Sequence, residues 1–292
     1  MKITDPGTDV VRTATDGDLA ALDTLLVAIQ PGVFNLAVRM LGNRADAADA
    51  TQEILLKVVT HLGGFRSESA FTTWVFQVAR NHLLTAATRS RETPEVSLEG
   101  MADRLQAGLE FAATLGDPDG SARVLTPEDK VAARQVALGC TQSMLMTLDR
   151  EQRLVYLLDT VFGLPSKESA QVLGISAQAF RQRLARARAR IDTFVGSTCG
   201  LVRPEAPCRC ERQLPAIRHA RAAGTAASVS LAALHRSELA EAQRQFDSVV
   251  RMGDAAAVFR AHPAYRAPES LRGAIRAVLR AEGHWSDERP LQ

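Results

Sequence analysis

The chain has 292 residues, 46% of them hydrophobic and 5% aromatic, with 35 Lys and Arg against 33 Asp and Glu and a net charge of +2. That length supports two or three small cores, and the near-neutral balance excludes a uniformly basic binder, so any nucleic-acid surface must come from uneven placement of charge. Four cysteines are too few for a disulfide scaffold, and the opening MKITDPGTDVV lacks an apolar core; no run approaches the roughly 18 apolar residues that span a bilayer, which predicts a cytoplasmic protein with no membrane segment.

Apolar residues recur at three and four rather than two, so the expected fold is all-α. Composition divides the chain into blocks at 1–91, 92–127, 128–195 and 196–292. In the first, Asp46, Asp49 and Glu53 stand at i, i+3 and i+7 on a helix beginning near Arg44, with Gln52 beside them. They share an exposed face opposite Ile54, Leu55, Val58, Val59 and Leu62. By chemistry alone such carboxylates are a solvated face, since no His or Cys joins them at ligand spacing.

The stretch FRSESAFTTWVFQVARNHLLTAATRSR, residues 65–91, concentrates four aromatic residues between Phe65 and Phe76, beside Arg66, Arg80, Asn81, His82, Arg89 and Arg91. Phe71, Trp74, Val75 and Val78 fit a core face, but aromatic rings interleaved with cations also suit unstacked bases, each worth about 1–3 kcal/mol when stacked. The loop 65–70, including Ser69, could hold an extruded base, which costs a few kcal/mol to unstack. From Glu92 to Asp129 there follow nine acids and two arginines, with a short helix expected over 105–115.

Between Leu164 and Arg190 the chain reads LPSKESAQVLGISAQAFRQRLARARAR. Ser166 and Ser176 are placed to cap two helices, and Gly174 supplies the turn between them. Phe180, Leu184, Ala187 and Ile191 form one inward stripe on the second helix, while no acid occurs from Ser169 to Ile191. This is the pattern of a helix-turn-helix that offers Ala177, Gln178, Arg181 and Gln182 to base edges and its later arginines to phosphates.

After Val195, CGLVRPEAPCRC gives Cys199, Cys208 and Cys210, with His219 nine residues beyond, in a Pro-containing hinge over 196–215. Three readings stay open for these thiols: a soft-metal site for Zn or Cu(I), a redox switch, or inert packing. Amphipathic helices are expected beyond, around Leu231 to Val250 and Leu271 to Leu279, with Pro268 at a first helical position. No nucleophile–base pair or phosphate-binding glycine loop points to an enzyme.

The order DAADATQEILLKV, FRSESAFTTWVFQVARN, an acidic segment, then LDREQRLVYLLDTVFGLPSKESAQVLGISAQAFRQRLARARARI resembles a bacterial sigma factor of the extracytoplasmic-function group of the sigma-70 family, over about Asp16 to Val195. The resemblance implies two small helical domains, regions 2 and 4, joined by an acidic linker that threads the RNA exit path, with a helical C-terminal extension of regulatory role. It implies that Asp46, Asp49, Gln52 and Glu53 dock on the β′ coiled coil of core RNA polymerase. It assigns Phe65, Arg66, Ser69, Phe71, Trp74, Arg80 and Asn81 to the promoter −10 element. Ser176, Ala177, Gln178, Arg181, Gln182, Arg183 and Arg186 fall to the −35 element, and 148–158 to the β flap. It also raises an anti-sigma factor as a partner. Ser169 and Phe180 depart from the family's usual residues. The competing reading is a helix-turn-helix regulator that never engages polymerase; it needs neither the acidic face nor the aromatic loop.

Overall fold

The computed structural model describes residues 3–86, 97–115, 125–224, 237–238, 240–242, 244–245 and 254–281. The described residues are helical, apart from loops and one isolated parallel bridge between Cys199 and Cys208. The expected helices over 231–250 fall mostly outside them, as do Arg89 and Arg91. Two compact units emerge, and neither is continuous in sequence: one comprises Met1–Arg91, Phe162–Phe180 and Tyr265–Gln292, the other Glu92–Val161 and Arg181–Ala264.

The first unit is built on α1 (Thr8–Thr15), α2 (Leu19–Leu41), α3 (Arg44–Thr60) and α4 (Phe71–Ala86). Asp18 caps α2 by accepting from the Ala21 amide at 2.8 Å, and Asn43 caps α3 by accepting from Ala45 at 2.8 Å, each satisfying an amide that the helix leaves unpaired. Gly42, in the left-handed region, closes α2. Leu25, Ile29, Val33, Phe34, Leu36 and Val38 are all buried, so α2 is the central helix. Contrary to the expectation that no such run exists, α2 is long and apolar enough by length and composition to cross a membrane; 67% of its most apolar stretch is buried within the protein, which accounts for its hydropathy.

Two further stretches complete this unit. One is α8 (Ser166–Leu173) with the opening turn of α9 (Ala177–Thr198). The other begins at Tyr265 and continues into α12 (Ser270–Ala281), whose Leu271, Ile275 and Leu279 are buried. Pro268 lies two residues before α12 rather than inside it, with its carbonyl accepting from the Leu271 amide at 3.1 Å.

The second unit holds α5 (Leu98–Thr114), α6 (Pro127–Met146), α7 (Arg150–Tyr156, continuing as a π turn over Leu157–Val161), the rest of α9, α10 (Leu214–Ala222) and α11 (Ala255–Arg260). The acidic segment thus contains a helix longer than the expected one. Ser97 caps α5, whose Met101, Leu109 and Ala112 are buried, and Gln213 donates to the Leu105 carbonyl at 2.8 Å from just before α10. Thr126 and Asp129 form a reciprocal capping box at the start of α6, and Arg218 of α10 pairs with Asp129 at 2.7 Å. Arg153 closes the other end of α6 by donating to the Leu145, Met146 and Leu148 carbonyls. Leu138, Val258 and Ala261 lie in one buried cluster with Ala137, Ala242 and Ala257.

Candidate polymerase and promoter interfaces

Helix α3 presents Asp46, Asp49 and Glu53 to solvent with Gln52 half-buried beside them, while Ile54, Leu55 and Val58 are buried. The cap at Asn43 fixes where α3 begins and therefore which way the carboxylates face. Among the described residues these four side chains make no hydrogen bond or ion pair, so the acidic face is free to meet a partner.

The loop between α3 and α4 and the first turn of α4 carry the aromatic group. Phe65, Phe71 and Trp74 form a triangle with ring-centroid separations of 5.3, 5.5 and 5.7 Å, within the range where edge and tilted contacts stabilise aromatic pairs. Phe71 is buried, whereas Phe65 and Trp74 are half-exposed, so the ordinary core reading holds for Phe71 and a solvent-facing ring surface remains. Ser67 adopts φ 56°, a left-handed conformation uncommon for a residue other than glycine. A cavity of about 450 Å³ opens there, lined by Phe65, Arg66, Ser69 and Trp74, together with Glu68 and Gln77. Arg80 and Asn81 follow on α4, joined by an Arg80 Nη1 to Asn81 Oδ1 bond of 2.9 Å. Gln171, from α8, also lines the cavity. Sequence reasoning missed Gln77 and Gln171, because nothing local to either residue signals a cavity assembled from separated helices.

Gly174 ends α8 at φ 64°, a left-handed turn that glycine adopts without strain. Ser176 then caps α9 by accepting from the Ala179 amide at 3.1 Å. Ser166 does not cap: α8 begins at Ser166 itself, Pro165 precedes it, and no side chain supplies that cap. Ser169 is fully buried, and its hydroxyl donates to the Leu164 carbonyl at 3.3 Å, so a polar residue at this apolar position is satisfied internally. Phe180, Leu184, Ala187 and Ile191 are buried as the periodicity predicts.

Ser176, Gln178, Arg181 and Gln182 are exposed and Ala177 half-buried. The arginines are not equivalent. Arg183 pairs with Glu151 at 2.6 Å, Arg188 with Asp159, and Arg190 donates to Gln152 at 3.2 Å, all within the second unit. Arg181 and Arg186 are exposed and make no ion pair among the described residues. Exposed pairs contribute about 0–1 kcal/mol, so DNA phosphates can compete for Arg183. Arg186→Ala is therefore expected to weaken binding nearly uniformly across sequences and lower the salt slope by about one, whereas Gln178→Ala changes base preference; salt titrations on two promoters distinguish these outcomes.

The Cys-containing segment is folded rather than an open hinge. The Gly200 amide bonds to the Cys208 carbonyl at 2.9 Å and the Cys208 amide to the Thr198 carbonyl at 3.2 Å, returning the chain to the end of α9. The Arg209 guanidinium binds the carbonyls of Pro204, Ala206 and Cys208 and fills the space above Gly200, where a Cβ would sit 1.4 Å from Nη1. Cys140 of α6, which sequence spacing did not suggest, lies within electrostatic reach of Cys199, Cys208 and Cys210. Burial pushes all four thiols above the ordinary cysteine value, disfavouring the thiolate. His219 does not join them: its ring lies 5.0 Å from Phe111. Among the described residues no group of three or more His, Cys, Asp or Glu side chains is arranged to hold a metal ion.

An acidic helix face, an aromatic cluster beside it and a helix-turn-helix with exposed cations are the features of a helical factor suited to contact both protein and DNA. Residues 25–93 match sigma-70 region 2, and residues 138–191 match sigma-70 region 4. The RNA polymerase sigma factor NccH of Alcaligenes xylosoxydans xylosoxydans is 30% identical over 199 residues, covering 67% of this chain and 99% of that one. RNA polymerase sigma-H factor of Pseudomonas aeruginosa is 27% identical over 187 residues, covering 63% and 90%. Among solved structures, CnrH in complex with the cytosolic domain of CnrY aligns at 22% identity over 66% of this chain and 97% of that chain, with a TM-score of 0.44. The chain belongs to the sigma-70 family of RNA polymerase sigma factors, in its extracytoplasmic-function group. It is a transcription initiation factor whose partners are core RNA polymerase and promoter DNA.

Proposed function

We propose that this sigma factor docks on the β′ coiled coil of core polymerase through Asp46, Asp49, Gln52 and Glu53, and reads promoters at two separate points. The loop of Phe65, Arg66, Ser69, Phe71 and Trp74, with Arg80 and Asn81, takes an unstacked base and the melted strand of the −10 element. The α9 residues Ser176, Ala177, Gln178, Arg181, Gln182, Arg183 and Arg186 bind the −35 element in duplex form. The observation that carries this reading is the placement of the free carboxylate face on α3 beside the half-exposed rings of Phe65, in the following loop, and Trp74, on the neighbouring helix α4. It acts in the cytoplasm and contributes specificity, with the chemistry left to the polymerase. The test is transcription with purified core enzyme: RNA chains start at one fixed site only when the protein is present. A helix-turn-helix regulator would start none.

The C-terminal extension 196–292 regulates the factor in this reading. Its support is the Tyr265 stretch, which is held by region 2 itself: Asn35 donates to the Tyr265 carbonyl at 2.9 Å and accepts from the Tyr265 amide at 2.8 Å. Cys199, Cys208 and Cys210 are its proposed sensing point for Zn, Cu(I) or thiol oxidation; His219, stacked on Phe111, gives the metal variant no support. An anti-sigma factor acting in trans is a further proposed partner.

A further inference from the structure

We propose that Cys199 and Cys208 form a reversible disulfide, and that Gln213 transmits its closure to the linker helix α5. This rests on the reading of the C-terminal extension as regulatory and of its thiols as the sensing point, and it selects one pair and one output for them. All the groups involved belong to the second compact unit. Residues 199 and 208 stand opposite one another in the isolated parallel bridge, where the Cys208 amide donates to the Thr198 carbonyl and the Cys208 carbonyl accepts from the Gly200 amide. Paired segments lie about 4.7–4.9 Å apart, inside the Cα separation of about 4.4–6.8 Å that a disulfide spans. The Cys208 thiol is also within electrostatic reach of Cys199. Cys140 and Cys210 stand outside the bridge.

The Gln213 side chain, which is 4% exposed, touches the cysteine loop and the linker helix at once. Its Nε2 donates to the Leu105 carbonyl of α5 at 2.8 Å and to Cys208 Sγ at 3.6 Å. Its Oε1 occupies the space above Gly108 of α5, where a Cβ would lie 2.1 Å away. Closing the disulfide draws the Cys208 sulfur to about 2.0 Å from that of Cys199 and takes it from Gln213. A buried N–H left without an acceptor bears the full cost of its desolvation, so the amide turns to another partner and releases Leu105. Residues 98–114 of α5 lie between the stretches that match regions 2 and 4, so the thiol state reaches the segment that joins the two reading modules.

The oxidant is a small disulfide. The thiolate of one cysteine attacks it and expels one thiol; the other cysteine then displaces the second thiol from the mixed disulfide. Two protein thiols are oxidised, one disulfide is reduced, and the two protons leave on the released thiols. Burial keeps both protein thiols above the ordinary cysteine value, so the exchange is slow at neutral pH.

The experiment equilibrates the full-length chain across a series of reduced-to-oxidised glutathione ratios. After alkylation of the remaining thiols, peptide mapping is expected to show Cys199 joined to Cys208. Hydrogen exchange of the α5 amides is expected to quicken about two- to twelve-fold with the same midpoint, the range set by one net hydrogen bond. A different pairing, no disulfide at any ratio, or unchanged α5 exchange once the bond has formed each overturns the proposal. Replacing both cysteines, Cys199→Ser with Cys208→Ser, keeps an acceptor for Gln213 and removes the oxidisable pair. Its α5 exchange is expected to stay slow and constant across the series, and a response there also overturns the relay. Gln213→Ala is expected to form the disulfide while α5 exchanges fast at every ratio; slow exchange that still follows the ratio counts against Gln213. Promoter-specific transcription across the same series separates the two layers. RNA that responds while α5 does not overturns the relay and leaves the extension regulatory. An α5 response without a change in RNA supports the relay and ends the regulatory reading.

Discussion

Replacing Asp49 and Glu53 together with lysine is expected to abolish co-purification with core polymerase while leaving the protein folded. Both side chains are exposed and partnerless among the described residues, so their loss costs the fold little; surface changes of this kind usually stay within about 0.5 kcal/mol. The interface responds differently. Turning two carboxylates into two ammonium groups places like charge against whatever basic surface the acidic face meets, and like-charge contacts at an interface cost several kcal/mol. A loss of about 4 kcal/mol is roughly a thousand-fold in Kd. The check is gel filtration of the purified variant with core enzyme, beside a thermal melt of the variant alone. An unaltered melt with no shared peak is the expected pair of results; a shared peak would place the docking surface elsewhere.

The second large effect falls on stability. Tyr265→Ala is expected to cost about 3–5 kcal/mol, the range for removing a large buried aromatic side chain. Tyr265 is buried, and its ring stacks under the guanidinium of Arg39 at 5.0 Å and that of Arg44 at 5.6 Å. Arg39 is 1% exposed, so the ring is part of what makes its burial tolerable. The Asn35 bonds use the backbone of residue 265 and survive the substitution, which separates loss of the ring from loss of the strap. Tyr265→Phe keeps the ring and is expected to stay within about 1.5 kcal/mol of the parent. Urea unfolding of the two variants makes the comparison. Equal stability of the alanine variant and the parent would show that the ring contributes nothing to region 2.

Much of this molecule was legible in its sequence because the informative signals were local. The cap at Ser176, the turn at Gly174 and the stripe Phe180, Leu184, Ala187, Ile191 each depend on residues within a few positions, and all stand where spacing put them. Ser166 departs from the capping expectation for a related reason. Ser at a helix start reads as a cap, but Pro165 already sets the entry and moves Ser166 inside the first turn. What could not be read was assembly across distance. Tyr265 meets Asn35 over 230 positions, and Cys140 joins a group whose other members begin at Cys199. Neither partner carries a period, a motif or a composition that names the other. The arginines show the same division: their clustering was visible, but which of them are held by Glu151, Asp159 and Gln152 depends on a helix some thirty residues upstream.

The strap at Tyr265 also bears on how the protein is made. Region 2 leaves the ribosome early, yet Asn35 meets Tyr265, whose ring also lies under Arg39 and Arg44, only 230 positions later. At about 5–20 residues per second, the interval between synthesis of residue 91 and residue 281 lasts roughly 10–40 s. Throughout that time the nascent region 2 lacks the cover that Tyr265 and α12 supply, and it completes its packing only once residue 281 has been made. A chain released after region 4 would still have an unfinished first unit. Completion of region 2 thus waits on the synthesis of Tyr265 and α12.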